Sequence, residues 1–343
     1  MEILKRIQVP TGDILIVEGS KGPLEFLSIG DYGKEVNLKS NFLPGLNRDL
    51  DKVEHKSLLP LEEKWVITIS TQYSCHSSCT FCDVPKVKFK ARHPQELNAT
   101  LNDLIQQVLT GIHLHPEVES TKRLNIHYAR MGEPSWNPNV LESAKWFYDH
   151  LKWGDDGNIK YNIHPVVSTM CPKDNPWLKT FLHTWMRIKN RIYNGNAGLQ
   201  LSINSTDEEE RNKMFRGNAS SLLEISRMME GVVPFGRKIT LNFPICGWQI
   251  KPEVLLNYFN PEHYIVKLTP MHKTKTALKY GIETTGDYTT YVPYQEIEKQ
   301  FQDVGYGTLV FIASEEEDLG RITCGNAILS GTMPEERFIL NEY

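Results

Sequence analysis

The 343-residue chain is 40% hydrophobic and 23% charged, with 23 glycines and 19 prolines, which excludes a disordered or fibrous chain. A formal net charge of -4 excludes a surface coated in positive charge, although a local basic patch can still hold a phosphate backbone. No apolar stretch reaches the ~20 residues of a membrane helix and the start has no signal-peptide core; with clustered rather than framework-like cysteines, a cytoplasmic protein away from any membrane is expected.

Taken in chain order, residues 1–60 predict a small β-rich appendage. Its apolar runs 13–17 and 24–29 flank the turn-like cluster Gly19-Ser20-Lys21-Gly22-Pro23. From Trp65 onward, apolar strand runs alternate with helical stretches. Residues 65–71 predict a strand, and 96–113 a helix with Leu97, Leu101, Leu104, Ile105, Val108 and Ile112 on one face. The next strand is expected at 124–128 and the next helix at 139–151, with further strands at 163–169, 199–203, 239–245 and 264–268. The acidic run 206–211 opens another helix, where carboxylates favour the N-terminal dipole. Six such units predict an α/β fold, a parallel sheet that right-handed crossovers curl into a partial (β/α)6 barrel. The expected division is appendage 1–60, core barrel 61–310 and C-terminal segment 311–343.

Sheets of this kind gather chemistry on the loops after the strands. The first such loop, Ser74-Cys75-His76-Ser77-Ser78-Cys79-Thr80-Phe81-Cys82, spaces three cysteines as Cys-x3-Cys-x2-Cys. Thiolates this close can surround an iron-sulfur cluster, or a zinc ion with His76 or a distant cysteine as fourth ligand. Three packed thiols without a metal are the third reading. Met131-Gly132-Glu133-Pro134, Ser168-Thr169, Asn204-Ser205 and Cys246-Gly247 fall at later strand ends. The basic run 86–93 either holds phosphates near the cysteines or solvates a loop.

The cysteine spacing, with an aromatic residue before the last cysteine, resembles the signature of radical S-adenosylmethionine (SAM) enzymes. Over roughly residues 65–330 the loops, in order, resemble the RlmN/Cfr family, which methylates adenine carbons in ribosomal RNA and in some members transfer RNA. The resemblance rests on Thr68-Ile-Ser-Thr-Gln-Tyr-Ser-Cys75, on Met131-Gly132-Glu133-Pro134 and on Cys324-Gly325-Asn326. It implies a 4Fe-4S cluster on Cys75, Cys79 and Cys82 with one iron left for SAM, whose reductive cleavage gives a 5'-deoxyadenosyl radical. It further implies that Glu133 receives the methionyl amine of SAM and that Ser168 lies near its carboxylate and ribose. Ser202 matches a family serine, whereas Asn204 and Gln249 stand where the family has histidine and asparagine. Cys324 is expected to take a methyl group from one SAM and present it to the substrate radical. Thr68 occupies the place of the family's second catalytic cysteine. Cys171 and Cys246, both at strand ends, are candidate stand-ins, set against a reading as small buried residues. The short N-terminal stretch stands where the family has a larger helical RNA-binding domain, which leaves the RNA class open.

The expected activity is methylation of an adenine in RNA through Cys324. The expected partners are a nucleic acid (RNA before DNA) or a nucleotide as substrate and a flavodoxin-like or other one-electron reductant. Two alternatives stay open: a non-methylating radical SAM isomerase or cross-linking enzyme acting on a modified nucleotide or peptide, favoured by Thr68, and a zinc-stabilised nucleic-acid-binding protein.

Overall fold

Apolar residues recur at every second position along the central strands, and this period decides which face is sealed. The computed structural model describes residues 1–31, 38–39, 58–286 and 290–343. Part of the expected appendage, residues 32–37 and 40–57, lies outside the described residues. Three antiparallel strands, β1 (Ile3–Val9), β2 (Gly12–Gly19) and β3 (Gly22–Ile29), begin the chain. β4 is Leu38–Lys39, followed by β5 (Trp65–Ile69), β6 (Thr121–Tyr128), β7 (Tyr161–Thr169), β8 (Gly198–Ser202), β9 (Ile239–Ile245), β10 (Tyr264–Pro270), β11 (Gly307–Phe311) and β12 (Asn341–Glu342). They form a single 12-stranded sheet in the order β12-β1-β2-β3-β5-β6-β7-β8-β9-β10-β11-β4. β5 to β11 are parallel neighbours in sequence order, and β3 joins β5 antiparallel with Leu27 opposite Thr68.

The α/β reading holds, with one parallel strand more than expected. Residues 307–311 form a short run whose alternation is too brief to stand out in the sequence, and pairing with β10 makes it a strand. The first helix starts at Leu101 rather than 96. Thr100 caps it, accepting from the Asp103 N–H at 3.1 Å while Asp103 accepts from the Thr100 N–H at 2.8 Å; Pro94–Leu97 is a separate 3-10 turn. Asn139–Leu151 is helical over the expected range.

Trp65, Ile67, Leu124, Ile126, Ile239, Leu241, Val266 and Leu268 are all fully buried on one strand face, each contributing about 1.5–3 kcal/mol of burial. Several intervening residues, among them Thr68, His127, Ser168, Ser202 and Lys267, are half-buried, while Val66 and Asn125 are buried. The face that helices leave uncovered is therefore reachable by solvent. It is also concave. Across a flat sheet, β6 and β10 would lie four strand spacings, ~19 Å, apart, yet the charge of Lys267 acts on His127. The loops confirm the curl, since the Thr274 hydroxyl after β10 donates at 2.9 Å to the Phe81 carbonyl after β5.

Candidate active site

The cysteine loop leaves β5 between two clamps. The Ser70 N–H donates to the Gln107 amide oxygen at 2.9 Å, and the Gln107 amide nitrogen donates back to the Ser70 carbonyl at 3.0 Å. Thr71 and Gln72 then donate from their backbone N–H groups to the Met131 carbonyl at 2.8 and 3.2 Å, and the Glu133 N–H donates to the Gln72 side-chain oxygen at 2.9 Å. The approach to the cysteines and the Met131-Gly132-Glu133-Pro134 turn are thus one packed unit. Gly132 is required there: its φ is +94°, and a Cβ would lie 2.4 Å from Cβ of Gln72.

Further along, the loop is held by three others. The Thr80 N–H donates to the Met214 carbonyl at 2.9 Å, the Asn218 amide to the Ser77 carbonyl at 2.9 Å, and the Asp83 N–H to the Gly325 carbonyl at 2.8 Å. Asp83 is fully buried beside Cys82 and ties the loop down further. Its carboxylate accepts from Lys86 Nζ at 2.6 Å, from the Thr276 N–H and hydroxyl at 2.9 and 2.5 Å, and from the Lys275 N–H at 3.1 Å.

Cys75, Cys79 and Cys82 are half-exposed, and desolvation raises all three thiols above their ordinary value, with mutual repulsion of the thiolates second for Cys79 and Cys82. Among the described residues no three His, Cys, Asp or Glu side chains already close around one point. The donor set nonetheless suits a multiply charged metal cluster, because three soft thiols that repel one another as anions are stabilised by the cation they would bind.

Glu133, 4% exposed, shows the same need for a cation. Its carboxylate accepts from the Thr169 hydroxyl at 2.6 Å, the Met170 N–H at 3.0 Å and the Ser135 N–H at 3.1 Å. Desolvation raises its pKa against these three neutral donors, and among the described residues no Lys, Arg or His pairs with it. An ammonium group would complete it.

The other expected residues assemble unevenly. Ser168 and Ser202 sit on the half-open face at the ends of β7 and β8. It is Thr169, the neighbour on the opposite face, that holds Glu133. Asn204 is buried in the left-handed region at φ +66°, and its N–H donates to the Asn242 carbonyl at 3.0 Å; asparagine tolerates that conformation better than most side chains. Gln249 has an exposed side chain at the rim, while its backbone N–H donates to Glu210 at 2.7 Å. In the basic run, Lys88, Lys90 and Arg92 are exposed, Lys86 is pinned to Asp83, and Phe89 stacks on Tyr73 at 5.3 Å.

Cys324 is exposed in its loop but desolvated like the other thiols; burial raises its pKa while Lys267 and Arg130 pull it back. It lies beside Cys82, whose thiolate it repels, and the Asp83–Gly325 hydrogen bond fixes that proximity. Residues four and five positions on secure the segment: the Ile328 and Leu329 N–H groups donate to the Glu25 carboxylate at 3.1 and 2.9 Å, and Glu25 forms a buried ion pair with Arg130. Sequence reasoning missed Glu25, Arg130 and Asp83, and named Thr169 only within the Ser168-Thr169 strand end, not as the partner of Glu133. Of the three missed, only Asp83 carried a local signal, as the neighbour of Cys82. Cys171 is buried at φ +57°, and its thiol and that of half-buried Cys246 are both pushed up to about 12 by burial. Neither has the character of a reactive thiolate. Thr68 lies on the half-open face opposite His127.

No family model matches the chain. A dual-specificity RNA methyltransferase RlmN from a Nitratiruptor species is 31% identical over 150 residues, covering 43% of this chain and 39% of that protein. A second protein of that name, from Aliarcobacter butzleri, is 29% identical over 118 residues, 34% of this chain and 30% of its own length. The matches thus span well under half of these relatives. A radical SAM methyltransferase from Sphaerobacter thermophilus superposes over 94% of this chain and 80% of its own with a TM-score of 0.60 at 15% identity, which shows a shared fold. Among the described residues no helix is long and apolar enough to cross a membrane.

Proposed function

We propose that this divergent RlmN/Cfr-like chain is a cytoplasmic radical SAM enzyme that methylates a nucleobase, an adenine in RNA first, with Cys324 as methyl carrier. Cys75, Cys79 and Cys82 would hold a 4Fe-4S cluster, and Glu133 the methionyl ammonium of SAM. When bound, the cluster supplies the electron that cleaves SAM to the 5'-deoxyadenosyl radical. The chain's own residues do the rest. Glu133 accepts the ammonium with both oxygens already oriented by Thr169, Met170 and Ser135. Cys324, as thiolate, attacks the SAM methyl carbon; the new S–C bond replaces the sulfonium bond and S-adenosylhomocysteine leaves. Lys267 and Arg130 favour that thiolate.

The observation that carries this reading is the backbone bond from Asp83 to Gly325, which sets the carrier segment against the cysteine loop. The exposed side chains of Lys88, Lys90 and Arg92 suit phosphates of a nucleic acid entering beside the cysteines, and a one-electron reductant is the required partner. The same proximity of Cys324 to Cys82 favours a second reading, a four-thiol structural metal site. Anaerobic reconstitution separates them. A brown protein that converts SAM to 5'-deoxyadenosine and carries a methyl group on the Cys324 peptide by mass spectrometry supports the proposal; a colourless zinc protein ends it. Cys324→Ala should abolish the methyl mark and spare 5'-deoxyadenosine. 5'-Deoxyadenosine formed with no methyl group on Cys324 or on substrate would leave the non-methylating isomerase or cross-linking chemistry that Thr68 favours.

A further inference from the structure

Cys324 is the exposed tip of a turn whose following residues are buried. The Asn326 N–H donates to the Thr323 carbonyl at 3.4 Å, and Gly325 takes φ +85°, the left-handed conformation that a type II turn needs at its third residue. Around this tip a row of donors points one way. The Arg321 guanidinium donates to the Asn326 side-chain oxygen at 3.5 Å, the Asn326 amide to the Thr323 hydroxyl oxygen at 2.9 Å, and the Thr323 hydroxyl to Asp318 Oδ1 at 2.7 Å. Asn326 and Asp318 are both fully buried. Each bond in such a row polarises the next, and this row ends on a carboxylate, the acceptor that makes the stronger, charge-assisted bond.

Asp318 also reaches the other way. Its second oxygen accepts from the Lys273 N–H at 2.8 Å, and His272 Nδ1 lies 3.2 Å from Oδ1; both residues stand just after β10. That loop is tied in turn to the cysteine loop, by the Thr274 hydroxyl on the Phe81 carbonyl and by the Lys275 and Thr276 N–H groups on the Asp83 carboxylate. The Cys324 turn rests on the same strip of backbone: a Cβ on Gly325 would lie 3.3 Å from the Phe81 carbonyl oxygen and 3.8 Å from Cα of Cys82. A fully buried carboxylate is costly unless its donors offset the desolvation. Here the donors come from the two segments that must stay together. We propose that Asp318 is a positioning residue for Cys324: through Thr323 it fixes the turn that holds the thiol beside the cysteine loop. That the thiol there receives a methyl group rests on the function proposed above; the positioning itself does not.

The test uses the full-length, anaerobically reconstituted protein. With SAM and dithionite, mass spectrometry follows the methyl mark on the Cys324 peptide and 5'-deoxyadenosine in the same samples; without SAM, it follows alkylation of Cys324 by iodoacetamide. Thr323→Val keeps the side-chain shape and removes the hydroxyl. It should slow the methyl mark about tenfold or more, speed alkylation several-fold and leave 5'-deoxyadenosine within a few fold. Thr323→Ser, which keeps the hydroxyl, should restore methylation and alkylation to within a few fold of the wild type. Asp318→Ala should match Thr323→Val, and the double variant should be no worse than either, because both changes remove one contact. Should Asp318→Ala not fold, Asp318→Asn replaces it; its single amide oxygen cannot accept from both Thr323 and Lys273, so it should fall between the wild type and Thr323→Val. Wild-type behaviour of Thr323→Val or Asp318→Asn, a serine variant as impaired as the valine one, additive losses in the double variant, or 5'-deoxyadenosine falling in step with the methyl mark each overturns the inference. If the wild type never acquires the methyl mark, the proposed function falls and the alkylation series decides the positioning by the same comparisons; if it does and Thr323→Val changes nothing, the function stands and the positioning falls.

Discussion

Glu25→Gln probes the contact that joins the N-terminal strands, the Glu133 turn and the Cys324 segment. Glu25 is 0% and Arg130 3% exposed, so the pair is fully desolvated. The Arg130 guanidinium donates from Nε at 2.8 Å and from Nη2, while Nη1 is buried without a partner. Neutralising the acid leaves a buried guanidinium with no counter-charge, and removing one partner of a buried pair costs about 3–5 kcal/mol. The glutamine amide would also point an N–H at the backbone of Ile328 or Leu329, adding to that cost. A domain stable by about 5–15 kcal/mol would lose a large share of its stability. Urea unfolding should show the midpoint falling at constant slope, and alkylation of Cys324 by iodoacetamide should accelerate as its segment comes loose. Replacing both residues, Glu25→Leu with Arg130→Leu, should recover part of the loss because no orphaned charge remains. A Glu25→Gln loss below ~1 kcal/mol with unchanged alkylation would refute the reasoning.

Gly132→Ala forces a Cβ to within 2.4 Å of Gln72 and keeps φ at +94°. It should cost about 1–3 kcal/mol in thermal unfolding and weaken SAM binding by displacing Glu133; unchanged binding would detach the turn from the site. Glu317, raised to about 7 by burial ahead of its other influences, predicts a pH dependence. The folded chain holds that proton more tightly than the unfolded one, so the unfolding free energy contributed by this group falls as pH rises from its ordinary 4.5 to about 7 and is flat above. Urea midpoints of wild type and Glu317→Gln should therefore diverge over that window, and parallel curves would show the carboxyl to be ionised throughout.

Period-two alternation and the cysteine spacing were legible in the chain because each depends on residues a few positions apart, whose relation the backbone geometry alone settles, whereas the Thr100–Asp103 cap went unread and moved the first helix start from 96 to 101. Six of the parallel strands, the helices near 101–113, 139–151 and 208–215, and the parallel order followed from such local patterns. The roles within the site divided differently. Asn204 stood out in the sequence for its place in a motif, whereas in the structure it takes a left-handed backbone position; Ser168 was singled out, yet the side chain that reaches Glu133 is its neighbour on the other strand face. A one-residue step reverses a strand's side chain, and only the sheet shows which face meets the site. Glu25 and Ile328 are 303 positions apart, and Lys267 acts on His127 from a strand four places away in the sheet. No local pattern encodes such pairs: their energies come from desolvation and charge in surroundings that exist only once the chain has folded.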